Sequence, residues 1–177
     1  ACALALPTLA DWDPSNPNTK WVQMPQMNGG YDVLSMNGVY PIPPVPPPVD
    51  KLVADDWECR DQRPVTDIHV WGSWWQNQPD PNQAGLAFEL KIYSDIPKGT
   101  DAIPYSRRGN QLWSTIRTPD VRLWGTGNEK FYDPNGVLPL LSESTVWQYN
   151  FLLDPSEYFN QTPGTIYWLS VQALAAV

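Results

Sequence analysis

From Val65 to Trp75 apolar and polar residues alternate with a period of two. Val65, Asp67, His69 and Trp71 point one way, and Ile68, Val70, Gly72 and Trp74 point the other. That is the period of a strand with two unlike faces rather than of a helix. Ile68 and Val70 mark the core side and carry Trp74 with them, which sets Asp67, His69, Trp71 and Trp75 on the opposite side. A cleaner alternation follows, with Leu86, Phe88, Leu90 and Ile92 interleaved with Ala87, Glu89, Lys91 and Tyr93. It predicts a half-buried strand with its apolar side inward. Further strands are predicted over Gln111–Arg117, Asp120–Gly125, Thr145–Leu153 and Thr165–Ala175. Two short ones, Lys20–Gln23 and Tyr31–Leu34, flank a turn at Met24–Gly30. Asp133-Pro134-Asn135-Gly136 is turn chemistry. Asp154 and Pro155 predict one helical turn to Tyr158, capped by the first and opened by the second.

Composition strengthens the β reading. The 177 residues include 20 Pro and 10 Trp, with only 17% charged. So many prolines cannot sit in helix interiors, where each removes a donor and clashes with the preceding turn, whereas Trp and Tyr suit strands. At 42% hydrophobic the chain can bury a core, and its length suits one domain. The predicted fold is all-β, an antiparallel β-sandwich of jelly-roll type, with about eight strands and long Pro-rich loops. Residues 20–177 form that domain and residues 1–19 precede it as an apolar arm and turn segment. The run PIPPVPPPV from Pro41 to Val49 is a stiff polyproline-type stretch. It reads as an extended spacer packed on the domain, or else as a docking peptide for an aromatic groove.

Charge removes several classes. A net charge of -8 and scattered Lys and Arg argue against nucleic acid, which needs a basic footprint, and against anionic membranes. No stretch is apolar enough to insert in a bilayer. The opening ACALALPTLA reads either as the end of a secretory signal or as an arm of the mature chain. In the second case Leu4, Leu6 and Leu9 would bury against the chain's own sheet or add to a neighbour's edge. Both readings predict export. Cys2 and Cys59, the only cysteines, lack zinc-site spacing and are a disulfide candidate whose closure depends on whether they meet.

The stretches KWVQMPQMNGGYDV, ADDWECRDQRPVTDIHVWGSWW, VRLWGTGNEKFYDPNG, VWQYNFLLD and GTIYWLSV, in this order, resemble one bacterial family. It is a domain of unknown function of secreted, planctomycete-type proteins, often found beside PEP-CTERM sorting tails. The resemblance runs from about Lys20 to the C-terminus. It implies an extracellular β-sandwich and supplies no catalytic residues.

Candidate chemistry is sparse. His69 is the only histidine. Ser73, two residues on, lies on the same strand face with no nucleophile elbow, which argues against a Ser-His-Asp site. Asp55, Asp56, Glu58, Asp61 and Asp67 cluster in sequence as glycosidase-type carboxylates would, although an acidic chain supplies such pairs by chance. No cofactor is predicted. Structural calcium is the one ion the loops would suit, through Asp11, Asp13, Asp133 and Asn135, with Asp80 in a similar turn. Trp71 and Trp75, with Asp67 and His69 beside them, form a candidate ligand face of aromatic rings and polar groups. These readings predict an exported, non-catalytic structural or adhesive subunit of a bacterial surface layer, filament or matrix, self-associating through its arm. A carbohydrate-binding module with a polysaccharide partner is the alternative, and a glycoside-active enzyme is the third.

Overall fold

A computed structural model of the chain describes residues 16, 18–38, 49–77, 85–133 and 141–174. Among them the regular structure is ten strands and two short 3-10 turns, so the fold is all-β. In chain order these are β1 (Asn28–Val33), β2 (Met36–Gly38), β3 (Val49–Asp50), β4 (Val53–Glu58), β5 (Asp67–Gly72) and β6 (Ala87–Ile96). They continue with β7 (Arg107–Arg117), β8 (Asp120–Tyr132), β9 (Leu141–Leu152) and β10 (Ile166–Leu174). The 3-10 turns are Trp75–Asn77 and Pro155–Glu157.

Two sheets form a sandwich-like arrangement. The first has the order β1-β8-β9-β5, and the second β3-β2-β10-β6-β7 with β4 also on β10. Most pairs are antiparallel, as expected, but β1 runs parallel to β8 and β2 parallel to β10, so both sheets are mixed. Only Leu34 and Ser35 separate β1 from β2. The chain therefore steps from one sheet to the other without a hairpin reversal.

The strongest alternations in the sequence become the core. Phe88, Leu90 and Ile92 of β6 are buried, as are Ile68 of β5 and Tyr149 and Phe151 of β9. Phe88 packs edge-on against Phe151 and tilted against Tyr149, centroids 5.5 and 5.0 Å apart. A smaller cluster of Cys59, Ile92, Phe159 and Tyr167 fills one end. Cys59 is a buried thiol that donates to the Asp61 carbonyl at 2.9 Å; its candidate partner Cys2 lies outside the described residues.

Several boundaries differ from expectation. Lys20–Gln23 forms no strand, and Val65 makes only an isolated bridge to Phe159 ahead of β5. Strand β8 does not stop at Gly125 but continues to Tyr132. A Cβ on Gly127 would stand 2.0 Å from the Met27 carbonyl oxygen. The missing side chain of Gly127 is what lets residue 27 press against the strand.

The β7 side of the sandwich is closed by the Pro155–Glu157 turn. Trp113 donates its indole N–H to the Glu157 carbonyl at 2.7 Å. Arg117 pairs with Asp154 at 2.8 Å and also with Glu157. The predicted helical turn is thus present in 3-10 form, and its work is to plug one edge. The arm residues Leu4, Leu6 and Leu9, most of the Pro-rich run and the Asn135 turn lie outside the described residues.

Candidate functional site

Among the described residues the opposite side is open. Strand β4 pairs with β10 so that Val53, Asp55 and Trp57 share a face with the core residues Val171, Leu169 and Tyr167. In a closed sandwich that row would be buried. Here Val53 keeps 38% of its surface exposed, and Asp55 is exposed. The row faces a cleft of about 1160 Å³ that runs between the sheets and out past β5. Trp57 is held in its wall by Gln161, whose Oε1 accepts the indole N–H at 2.9 Å while its amide donates to the Arg63 carbonyl at 2.9 Å. At the mouth, Trp21 and Tyr31 line the cleft with 47% and 59% of their surfaces exposed.

The facing wall is built by the chain that leaves β5. Gly72 ends the strand, and Gln76 and Asn77 adopt left-handed backbone, φ 57° and 56°. This region is unfavourable for residues with a Cβ. Asn77 anchors the turn to β9, accepting from the Thr145 N–H at 3.0 Å. The turn carries Trp75 into the core, where it is buried. Trp75 therefore does not share the outward face of β5 with Trp71, as strand periodicity implied, because the strand stops three residues earlier. Trp74 donates its indole N–H to the Tyr149 hydroxyl at 2.7 Å, and both line the cleft.

In and behind this wall stand three acids that sequence reading missed. Asp32 comes from β1, Glu129 from β8 and Glu143 from β9, and the last two are direct cross-strand partners. Asp32 accepts from both the N–H and the hydroxyl of Ser73, at 2.5 and 2.6 Å, and lines the cleft. Glu143 is 1% exposed. Its Oε1 accepts the Gln76 N–H at 2.7 Å. Burial pushes the Glu143 carboxyl up to about 7; hydrogen bonds from Ser73 and Gln76 oppose the rise, and the charges of Asp32 and Glu129 add to it. Glu129 is raised by burial and then by Asp32. Asp32 is raised by burial against the two Ser73 hydrogen bonds. Neutral carboxyls are the form such a site accommodates. Neither Glu129 nor Glu143 lines the cleft. Each acid sits on a different strand, 97 and 14 positions from the next, so no local pattern announced them.

On the outward side of β5, His69 and Asp67 do come together. His69 Nε2 lies 2.9 Å from Asp67 Oδ2 and Nδ1 lies 2.6 Å from Asn150 Oδ1. Asn150 donates its amide to the Asp120 carbonyl at 3.1 Å, which turns its Oδ1 toward the ring. Both ring nitrogens thus have an oxygen within hydrogen-bond reach. The His69 hydrogen bond is the main reason the Asp67 carboxyl lies below its ordinary range. Trp71 is half-buried and packs edge-on against Trp124, centroids 5.5 Å apart. Asp67, His69 and Trp71 all line the cleft where it passes β5.

Of the other sequence candidates, Asp133 is buried at the end of β8, whereas Asp11, Asp13 and Asn135 lie outside the described residues. Among the described residues no three His, Cys, Asp or Glu side chains are placed to hold a metal ion.

Residues 19–176 match the family model described as Domain of unknown function (DUF7901), and the chain belongs to that family. No curated protein and no solved structure matches it.

Proposed function

We propose that this member of the family is a non-catalytic, carbohydrate-binding β-sandwich that works outside the bacterial cell, with the cleft beside β4 and β5 as its glycan site. The observation that carries this reading is the cleft itself: an edge of the sandwich left open and lined by Trp21, Tyr31, Trp57, Trp71 and Trp74 among carboxylates and amides. Flat rings cover the apolar face of a pyranose, and neighbouring carboxylates and amides satisfy its hydroxyls. Trp21 and Tyr31 remain exposed, as platforms without a ligand do. A binding role rather than turnover is favoured because, among the described residues, only Asp32 of the three raised acids lines the cleft, whereas glycoside cleavage needs two carboxyls across the sugar. Affinity electrophoresis in gels containing soluble polysaccharides tests the reading. Retardation by at least one polysaccharide, abolished in Trp21→Ala, is expected; unchanged mobility in every gel contradicts it.

Self-association keeps one specific support. Among the described residues β7 pairs with β6 alone, so it forms a sheet edge, and its Leu112 and Ile116 are exposed at 49% and 61%. An exposed apolar edge strand is a template for a second chain. Light scattering of wild type and Ile116→Lys tests this: oligomers that become monomers support assembly through β7, and a monomeric wild type contradicts it.

A further inference from the structure

The charges around the cleft bear on which glycan it takes. Among its lining residues the cations are occupied by carboxylates of the chain itself. Lys20 and Arg63 both close on Asp61, each at 2.7 Å. Asp61 lies well below the ordinary carboxylate range, held there first by its hydrogen bond from Arg63 and then by Lys20, so it stays charged between them. Among the described residues the carboxylates of Asp55 and Asp56 meet no such cation. Asp55 Oδ1 accepts the Asp56 N–H at 2.9 Å. Asp55 projects on the inward side of β4 between Val53 and Trp57, exposed to the cleft. Asp32 stands on the facing wall. The chain as a whole carries -8.

A polyanionic sugar chain entering this space would set its carboxylates or sulfates against Asp55 and Asp56. It would also have to compete with Asp61 for the nearby Lys20 and Arg63. An amino sugar meets the opposite situation: an ammonium finds an unpaired carboxylate beside an indole, the arrangement that favours a cation over an aromatic face. At the mouth of the cleft itself Lys130 already makes such a contact, its Nζ 5.6 Å from the centre of the Tyr31 ring. We propose that the cleft selects amino-bearing and neutral glycans over acidic ones, with Asp55 as the residue that reads the amino group. The proposal rests on the glycan reading of the cleft and adds the charge class of the ligand to it.

Three oligosaccharide sets of matched length separate the possibilities by titration calorimetry: glucosamine oligomers, N-acetylglucosamine oligomers and galacturonate oligomers. Binding of the first two and not the third is expected, with the glucosamine oligomer weakened as salt rises. Asp55→Asn, an exposed change that keeps the fold, should weaken the glucosamine oligomer by about 2- to 5-fold more than the acetylated one, as a lost surface charge pair does. Galacturonate binding as tight as glucosamine, or a glucosamine affinity indifferent to Asp55→Asn, overturns the selectivity while leaving the glycan site standing. Absence of binding for all three sets, and for the neutral polysaccharide gels as well, overturns the site itself.

Discussion

Glu129 and Glu143 face one another directly across the β8–β9 pair, both on the buried side of the first sheet and both raised by that burial. Like charges at such a position are destabilising, so the pair is compatible with the fold only while protons are shared between the acids. The folded value of Glu143, about 7, lies above the ordinary 4.5. The folded chain therefore holds a proton that the unfolded chain has already released across that interval. The contribution to stability is fully present below about pH 4.5 and is lost as pH rises through 7.

Urea unfolding at pH 5 and pH 8 checks this. Wild type should lose on the order of 2 kcal/mol between the two. Glu143→Gln, which keeps an acceptor for the Gln76 N–H, should be nearly flat over the same range and more stable than wild type at pH 8. Equal wild-type midpoints at both pH values would contradict the burial argument.

Gly127 offers a test of the β1–β8 junction. Its Cβ position is occupied by the Met27 carbonyl, which also accepts the Asn128 N–H at 2.7 Å. Gly127→Ala must push residue 27 away and take β1, with Asp32, out of register. A loss of about 1–3 kcal/mol is expected by thermal or urea unfolding, the range for forced overpacking. A variant as stable as wild type would mean that the approach is not fixed.

Gln161 tests how the cleft wall is held. The side chain is buried and bonded at both ends, to Trp57 and to the Arg63 carbonyl. Gln161→Leu strands a buried indole N–H and a backbone carbonyl, which costs about 1–3 kcal/mol. Because Trp57 then loses its anchor, glycan affinity should fall together with stability. A variant that loses stability and keeps full affinity would remove Trp57 from the site.

The sequence carried the core well and the site poorly, for physical reasons visible in single elements. The alternation around Leu90 reports burial directly, and β6 forms with Phe88, Leu90 and Ile92 inward as read. Periodicity fails where a strand ends. Trp75 was counted along β5, but left-handed backbone at Gln76 and Asn77 turns the chain into the core. The strand expected to stop at Gly125 runs on to Tyr132 because Gly127 answers to the neighbouring Met27 rather than to a turn, and Glu129 lies in the part beyond the expected end. Asp67 and His69 were legible as a pair because a strand places residues two apart on one side. Asp32, Glu129 and Glu143 were not, because only the pairing of β1, β8 and β9 brings them together.

The central claim is that the open edge beside β4 and β5 is a glycan site with Trp21 as an exposed platform. Titration calorimetry of wild type and Trp21→Ala with a neutral oligosaccharide tests it most directly. Circular dichroism and the unfolding midpoint, measured in parallel, should not move, because the substituted ring is largely outside the core. The account predicts saturable one-site binding to wild type and an affinity at least about tenfold weaker in Trp21→Ala, the loss typical of a central aromatic contact. Equal affinity of the two proteins, or no heat of binding to either, would contradict it.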